Sequence, residues 1–128
     1  MPGPFSVVHL FEDGDGETHF KAYGIVLGLK DFAPPADPFF VSAVEAASGF
    51  VVINLPAGWI GERHPSPGRQ ILFCLSGTLK LTSSDGDTRL IEAGDAFLME
   101  DVKGKGHKSE VISNGPVKAV IVILGNSG

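Results

Sequence analysis

Residues 58–77 read GWIGERHPSPGRQILFCLSG, a turn-rich stretch that runs directly into an apolar segment. The apolar segment, QILFCL, has the length of a β-strand and ends at a turn signal. His64, Ser66 and Gln70 therefore lie around the start of a predicted strand, where polar side chains can meet a ligand. Their spacing is that of a metal-binding cradle, but the residue types fit such a cradle only in part.

Short apolar runs of strand length follow one another along the chain. They are rich in Val, Ile, Leu and Phe, and turn signals separate them. Asp85-Gly86 predicts a tight hairpin, because glycine adopts the positive φ that such a turn requires. The pattern predicts an antiparallel sandwich or barrel. The predicted strands are FKAYGIVLGL (20–29), FVVINL (50–55), QILFCL (70–75), TLKLTS (78–83), TRLIE (88–92), AFLME (96–100) and VKAVIVIL (117–124).

Two neighbouring segments depart from this pattern. DFAPPADPFF (31–40) contains three prolines, so we expect an extended arm or an edge segment that cannot donate a full ladder of hydrogen bonds. VSAVEAASG (41–49) is compatible with a short helix that ends at Gly49.

The composition is that of one globular domain. The chain has 128 residues, 43% of them hydrophobic and 20% charged, which is enough for one core. The formal net charge is -5 and no cluster of Lys and Arg stands out, so we expect neither nucleic-acid nor membrane binding.

The sequence also contains signals about its cellular compartment. Its start has no basic region followed by a long apolar run, and no stretch approaches the roughly 18 apolar residues of a membrane span. Cys74 is the only cysteine, which excludes an intrachain disulfide and fits a reducing compartment. We therefore expect a soluble cytoplasmic protein.

The spacing of Gly58, His64, Ser66, Gln70 and Gly77 resembles the first cupin motif. The segment GDAFLMEDVKGKGH (94–107) resembles the second, and the resemblance covers about residues 50–124. It implies an all-β fold, the cupin double-stranded jelly-roll barrel, with residues 1–49 adding strands and the proline-rich arm to the same domain.

A narrower resemblance links the chain to a group of small single-domain cupins. It rests on the W…HPxPxRQ-like segment, on EDxxGKGH (Glu100 to His107), on GExHF (Gly16 to Phe20) and on the DFAPP segment. This group resemblance implies no single activity.

The cupin resemblance also implies a metal site. His64 and His107 match two ligand positions, whereas Ser66 replaces the second histidine and Gln70 replaces the glutamate. The implied ligand set is therefore His64, Gln70 and His107, for a divalent ion such as Fe, Mn, Ni, Cu or Zn. Because Gln70 offers only a neutral oxygen, such a site would be weak, and a metal-free site is the alternative. No nucleotide cofactor is expected.

Other residues near the two motifs are candidates for catalysis or for substrate binding. Glu100 or Asp101 is either a base beside His107 or part of a solvated turn. Trp59 either walls the pocket or covers the end of the barrel.

For Arg69, His19 and Cys74, a purely structural role is the alternative to a functional one. Arg69 either contacts an anionic substrate at the barrel mouth or is an ordinary surface arginine. His19 either orders the amino-terminal arm or reaches the pocket. Strand alternation places Cys74 on the same face as Gln70 and Leu72. The cupin resemblance implies that this face points into the barrel, which makes Cys74 an interior hydrophobic residue rather than a nucleophile.

Two classes of function remain open on the sequence. The first is an enzyme acting on a small organic molecule by isomerisation, cyclisation, dehydration or dioxygenation, with or without a metal. The second is a non-catalytic, metal-free module that binds a small ligand, since a fold of this kind hosts many functions. In either case we expect a homodimer whose interface includes residues 20–55, because exposed sheet edges need covering.

Overall fold

The computed structural model describes residues 2–125, and every regular element in this range is a β-strand. None of its segments is a helix long and apolar enough to cross a membrane. The strands are β1 (Phe5–Glu12), β2 (Thr18–Ile25), β3 (Gly28–Lys30), β4 (Phe39–Val41), β5 (Ala47–Leu55), β6 (Ile60–His64), β7 (Gln70–Ser76), β8 (Leu79–Ser83), β9 (Thr88–Ile91), β10 (Ala96–Met99), β11 (His107–Val111) and β12 (Val117–Leu124).

The strands form two main sheets and a separate two-stranded hairpin. The larger sheet has the order β2-β1-β10-β7-β12-β5, and the smaller has the order β6-β11-β8-β9. Neighbouring strands are antiparallel except for β1 and β10. This two-sheet arrangement confirms the predicted all-β jelly roll.

The large sheet is apolar on both faces. On β7, Leu72 and Cys74 are each 3% exposed and belong to the main core, whereas Ile71 and Phe73 pack on the other face. The alternation predicted for this strand is therefore observed. The main core consists of Leu10, Phe20, Leu72, Cys74, Leu79, Leu81, Ile91, Phe97, Met99, Val111, Val117 and Ala119.

The helix predicted for residues 41–49 was wrong. The end of this segment is the start of β5, whose residues pair with β12 from Leu55↔Val117 to Ala47↔Leu124. Long-range pairing with β12 outweighs the helical propensity of the alanines. Gly49 consequently lies inside the strand, close to a register irregularity, and ends no helix.

The turn and arm predictions agree with the structure. Thr82 pairs with Thr88 across the β8–β9 hairpin, and Gly86 in its turn has a φ of 89°. In the proline-rich arm, Phe39–Val41 pairs with Gly28–Lys30 to form a hairpin outside the two main sheets. Most of this arm is exposed.

Candidate functional site

A cavity of about 250 Å³ lies inside the barrel and collects four of the predicted site residues. Trp59, His64, Gln70 and His107 all contribute to its wall. The rest of the lining is largely apolar and consists of Ile53, Leu55, Ser66, Pro67, Leu72, Leu79, Phe97, Met99, Ser109 and Ile121.

The pairing of β6 with β11 brings the two histidines together. His64 lies opposite His107 in the ladder, and their ring centroids are 5.6 Å apart. Gly106 allows this approach, because a Cβ at that position would lie 2.1 Å from the carbonyl carbon of His64. The glycine-rich loop of the second motif therefore packs directly against the backbone of His64 in the first motif.

His107 is held by a buried chain of hydrogen bonds. Its Nδ1 lies 2.7 Å from Oδ2 of Asp101, a carboxylate that is fully buried. The other oxygen, Oδ1, accepts a hydrogen bond of 2.8 Å from Oγ of Ser66, and the Ser66 N–H donates to the Asp101 carbonyl. This chain fixes the imidazole ring and makes its Nδ1 the proton donor to Asp101.

His64 has a comparable arrangement closer to solvent. Its Nδ1 lies 2.7 Å from the carbonyl oxygen of Glu62, which makes Nδ1 a donor. Within residues 2–125, Nε2 of His64 and Nε2 of His107 have no hydrogen-bond partner. When both rings are neutral, each therefore has a free Nε2 lone pair in a residue that lines the cavity.

These donors do not fit the arrangement of two histidines and one carboxylate that oxygen-activating iron sites use. Asp101 directs both carboxylate oxygens to His107 and Ser66, and the amide nitrogen of Gln70 contacts Sδ of Met99 at 3.4 Å. The described part of the chain contains no group of three or more His, Cys, Asp or Glu side chains placed to hold a metal ion. The remaining ligand candidates are two imidazoles and a neutral amide, and we therefore derive the proposed reaction from the side chains alone.

The structure corrects the predicted positions of Glu100 and Arg69. Glu100 follows the inward-facing Met99 and points to the outer face of the large sheet, where it binds His9 and Arg69. Arg69 precedes the inward-facing Gln70 and lines a groove on that same outer face. Neither side chain lines the barrel cavity, so Glu100 is no proton carrier for His107 there.

His19 also lies outside the cavity lining. It bridges two carboxylates, with Nε2 at 2.8 Å from Asp13 and Nδ1 at 3.0 Å from Asp85. The hydrogen bond to Asp13 is the main reason why the pKa of His19 is raised. The bridge ties the β1–β2 turn to the β8–β9 hairpin, which agrees with the ordering role rather than with substrate binding.

Trp59 and Cys74 occupy the positions expected from the sequence. Trp59 forms part of the cavity wall, and its ring lies so close to Gly61 that a Cβ there would be 2.4 Å from it. Burial raises the pKa of the Cys74 thiol, which keeps this residue an unreactive part of the core.

The family model described as the cupin domain matches residues 51–123, which is more than half of the chain. The chain belongs to the cupin family. The matched segment contains both cupin motifs and therefore every histidine and carboxylate of the cavity site. No curated protein matches the sequence.

Solved structures with the same fold are distant in sequence. A cupin 2 conserved barrel domain protein from Salinispora arenicola is 18% identical over 77% of this chain and 76% of its own, with a TM-score of 0.52. A putative ethanolamine utilization protein Q from Salmonella typhimurium is 15% identical over 94% and 96%, with a TM-score of 0.49. A sugar phosphate isomerase of the cupin superfamily from Silicibacter pomeroyi is 22% identical over 59% and 50%, with a TM-score of 0.48. At 18% identity, the likeness to the Salinispora arenicola protein shows the fold alone.

Replacing Gln70 with glutamate is expected to raise the affinity of this cupin for divalent metal. The substitution adds a negative oxygen ligand to the cavity wall that already contains the two imidazoles. We expect mild chelator to remove any metal from untagged wild-type protein, and the Gln70→Glu variant to hold Zn²⁺ or Ni²⁺ at least about tenfold more tightly than the wild type does. Elemental analysis after dialysis, followed by competition titration, measures both quantities.

Asn114→Glu is the matched control, because it adds the same charge at an exposed position outside both the cavity lining and residues 20–55. It should leave metal affinity unchanged. A wild-type protein that retains a stoichiometric ion in chelator would show that a carboxylate joins the ligand set. An unchanged affinity in Gln70→Glu would show that residue 70 does not reach the bound ion.

Proposed function

We propose that this cupin is an enzyme that moves a proton on a small, largely apolar organic molecule bound in the barrel cavity. The observation that supports this most strongly is the buried chain from Ser66 through Asp101 to His107. Asp101 orients the ring and stabilises the imidazolium that forms when Nε2 takes up a proton.

The cavity favours a particular type of substrate. Its apolar wall binds hydrocarbon. Gln70, Ser66 and Ser109 are uncharged polar residues of the lining, and the Ser66 hydroxyl already donates to Asp101. An amide N–H of Gln70 is a suitable donor to a carbonyl oxygen. A small ketone or enone therefore fits, with His107 removing a proton from the carbon next to its carbonyl group. Isomerisation through an enolate, aldol-type cyclisation and dehydration of a β-hydroxy ketone each begin with this step.

Exchange of protons for deuterium tests the proposal without knowledge of the natural substrate. The protein is incubated in D₂O with cyclohexanone and with acetophenone, and the loss of the α-proton signals is followed by NMR. We expect exchange faster than in protein-free buffer of the same pH. Exchange at the buffer rate for a ligand that NMR shows to be bound would overturn the proposed chemistry.

A non-catalytic ligand-binding module is the second candidate, and the largely apolar lining of the cavity favours it. Such a protein needs only shape and apolar surface to hold its ligand. Native mass spectrometry of the purified protein separates the candidates, because a module releases its ligand chemically unchanged on denaturation and shows no exchange activity.

We also propose that the protein is a homodimer assembled through residues 20–55. Ten of the 17 exposed large hydrophobic side chains among the described residues lie in this segment. β5, an edge strand of the large sheet, presents Phe50, Val51 and Val52, which are 43–70% exposed. An apolar edge next to an apolar arm favours pairing with a second copy.

Leu29→Asp is expected to shift the dimer towards monomer in sedimentation velocity at micromolar concentration. A charge buried at Leu29, on the β3 strand that pairs with the arm, would weaken association by about tenfold or more. Leu75→Asp is the matched control, because Leu75 is 60% exposed, as against 62% for Leu29, and lies outside the proposed interface. A monomeric wild-type protein would show that the arm covers only its own barrel.

A further inference from the structure

A second cluster of charged side chains lies on the outer face of the large sheet, away from the barrel cavity. Glu100 accepts hydrogen bonds from Nε of Arg69 and from the ring of His9. Burial alone would raise the pKa of Glu100, but these two hydrogen bonds outweigh it and lower the pKa below its ordinary value. Glu100 is therefore a carboxylate at neutral pH and holds one edge of the Arg69 guanidinium in place.

His9 holds Glu100 from the other side. It is 8% exposed, and its Nδ1 is a buried atom without a hydrogen-bond partner among the described residues. An unpaired buried N–H is rarer in proteins than an under-satisfied acceptor, so the ring proton belongs on Nε2, which donates to Glu100. The three side chains form a fixed row that ends at the guanidinium.

The guanidinium lines a groove of about 220 Å³. Five apolar side chains of the sheet form much of this groove: Ile71, Phe73, Leu98, Val122 and Leu124. The hydrogen bonds and ion pairs of residues 2–125 use Nε of Arg69 but neither Nη1 nor Nη2. An oriented cation with two free nitrogens thus lies beside an apolar surface.

We propose that this groove binds a small apolar carboxylic acid, with the carboxylate on Nη1 and Nη2 of Arg69 and the hydrocarbon on the sheet. The planar guanidinium matches a carboxylate through two parallel hydrogen bonds. An apolar cavity of about 150 Å³ holds a benzene-sized molecule, so the groove accommodates a somewhat longer chain or ring. Glu45, the acidic residue of the lining, is exposed and disfavours a second carboxylate on the ligand.

This site goes beyond the proposed proton transfer and is separate from the barrel cavity, although six of its twelve lining residues belong to the segment 20–55 of the proposed dimer interface. Arg69 and Gln70 are consecutive, as are Glu100 and Asp101, yet each pair divides between the two faces of the sheet. The outer groove and the barrel cavity therefore share a sheet but no lining residue. If the octanoate experiment shows no binding in the groove, the proton-exchange test of the barrel cavity is unaffected, and the reverse also holds.

Titration with sodium octanoate, followed by amide NMR of ¹⁵N-labelled protein, tests the site. We expect saturable shifts at outer-face residues such as Ile71, Leu98 and Val122, at submillimolar concentration. Octanamide, which has the same chain without the charge, should bind about tenfold more weakly, and Arg69→Gln should weaken octanoate binding by a similar factor.

Two further variants make the result decisive. Val122→Phe narrows the groove without touching the charged row, so it should abolish octanoate binding even if Arg69→Gln folds poorly. Arg89→Gln removes an arginine that is also paired with a carboxylate, Asp87, but lies outside this groove, and should leave binding unchanged. Three results would overturn the proposal. The chemical shifts fail to saturate, octanoate binds both Arg69→Gln and Val122→Phe as tightly as the wild type, or the arm of a second copy is found to close the groove.

Discussion

Replacing His107 with glutamine is expected to slow α-proton exchange on a bound ketone by about 100- to 10,000-fold, the range that general acid–base catalysis contributes. Glutamine keeps a polar side chain of similar reach but has no group that takes up a proton near neutral pH. The buried Asp101 accepts a hydrogen bond from Nδ1 of His107 across 2.7 Å, which leaves Nε2 as the basic atom. Exchange rates from NMR in D₂O, measured at saturating ketone, give the factor directly.

The Asp101→Asn variant tests, in the same assay, whether Asp101 supports catalysis by His107 or only stabilises the fold. The amide has the shape of the carboxylate but does not stabilise the imidazolium, so we expect the rate at saturation to fall while the ketone affinity changes little. Asp37→Asn, in the exposed arm, is the control, because it removes a carboxylate that lies outside the cavity site. If the His107→Gln variant exchanges the α-protons of the ketone at the wild-type rate, His107 does not take part in the proton transfer.

The side on which each carboxylate lies could have been predicted from the strand alternation. AFLME places Phe97 and Met99 in the core, so Glu100 must face outward if the strand continues. Its N–H does continue the ladder, by donating to the carbonyl of Leu10. The same reasoning, applied to Arg69 before the inward-facing Gln70, assigns the arginine to the outer face.

Asp101 and Ser66 show what the sequence alone does not provide. Ser66 stands at a ligand position of the first motif, where a hydroxyl is a poor ligand, but it is 2% exposed and donates to Asp101. The two residues are 35 positions apart in the chain, and only the folded barrel brings them together. The motifs predicted that His64, Gln70 and His107 come together, and all three line one cavity. The hydrogen-bond chain behind His107 depends on tertiary structure.

Long-range pairing also explains the error in residues 41–49 and the missed role of His9. The alanines favour a helix locally, but β12 offers a partner strand along the whole of β5. His9 looks like a packing residue in its own strand, and its partner Glu100 lies 91 positions away. By contrast, the barrel itself was predictable, because the glycine turns and the two motifs are local signals.

Gly106→Ala is expected to destabilise the protein by roughly 2–5 kcal/mol. Gly106 has a φ of 76°, which costs a residue with a Cβ about 1–2 kcal/mol. The added methyl group would also lie 2.1 Å from the carbonyl carbon and 2.2 Å from the carbonyl oxygen of His64. Relieving that overlap requires a backbone shift, which costs about 1–3 kcal/mol more.

Gly86→Ala isolates the conformational part of this cost. Gly86 has a φ of 89°, but a Cβ there would meet nothing within 4 Å, so we expect only about 1–2 kcal/mol. Urea unfolding of the two variants gives the difference. Because His64 opposes His107 across the ladder, only Gly106→Ala should also move the ring resonances of both histidines. Equal destabilisation by the two variants, with unchanged histidine resonances, would mean that the glycine loop does not set the distance between the rings.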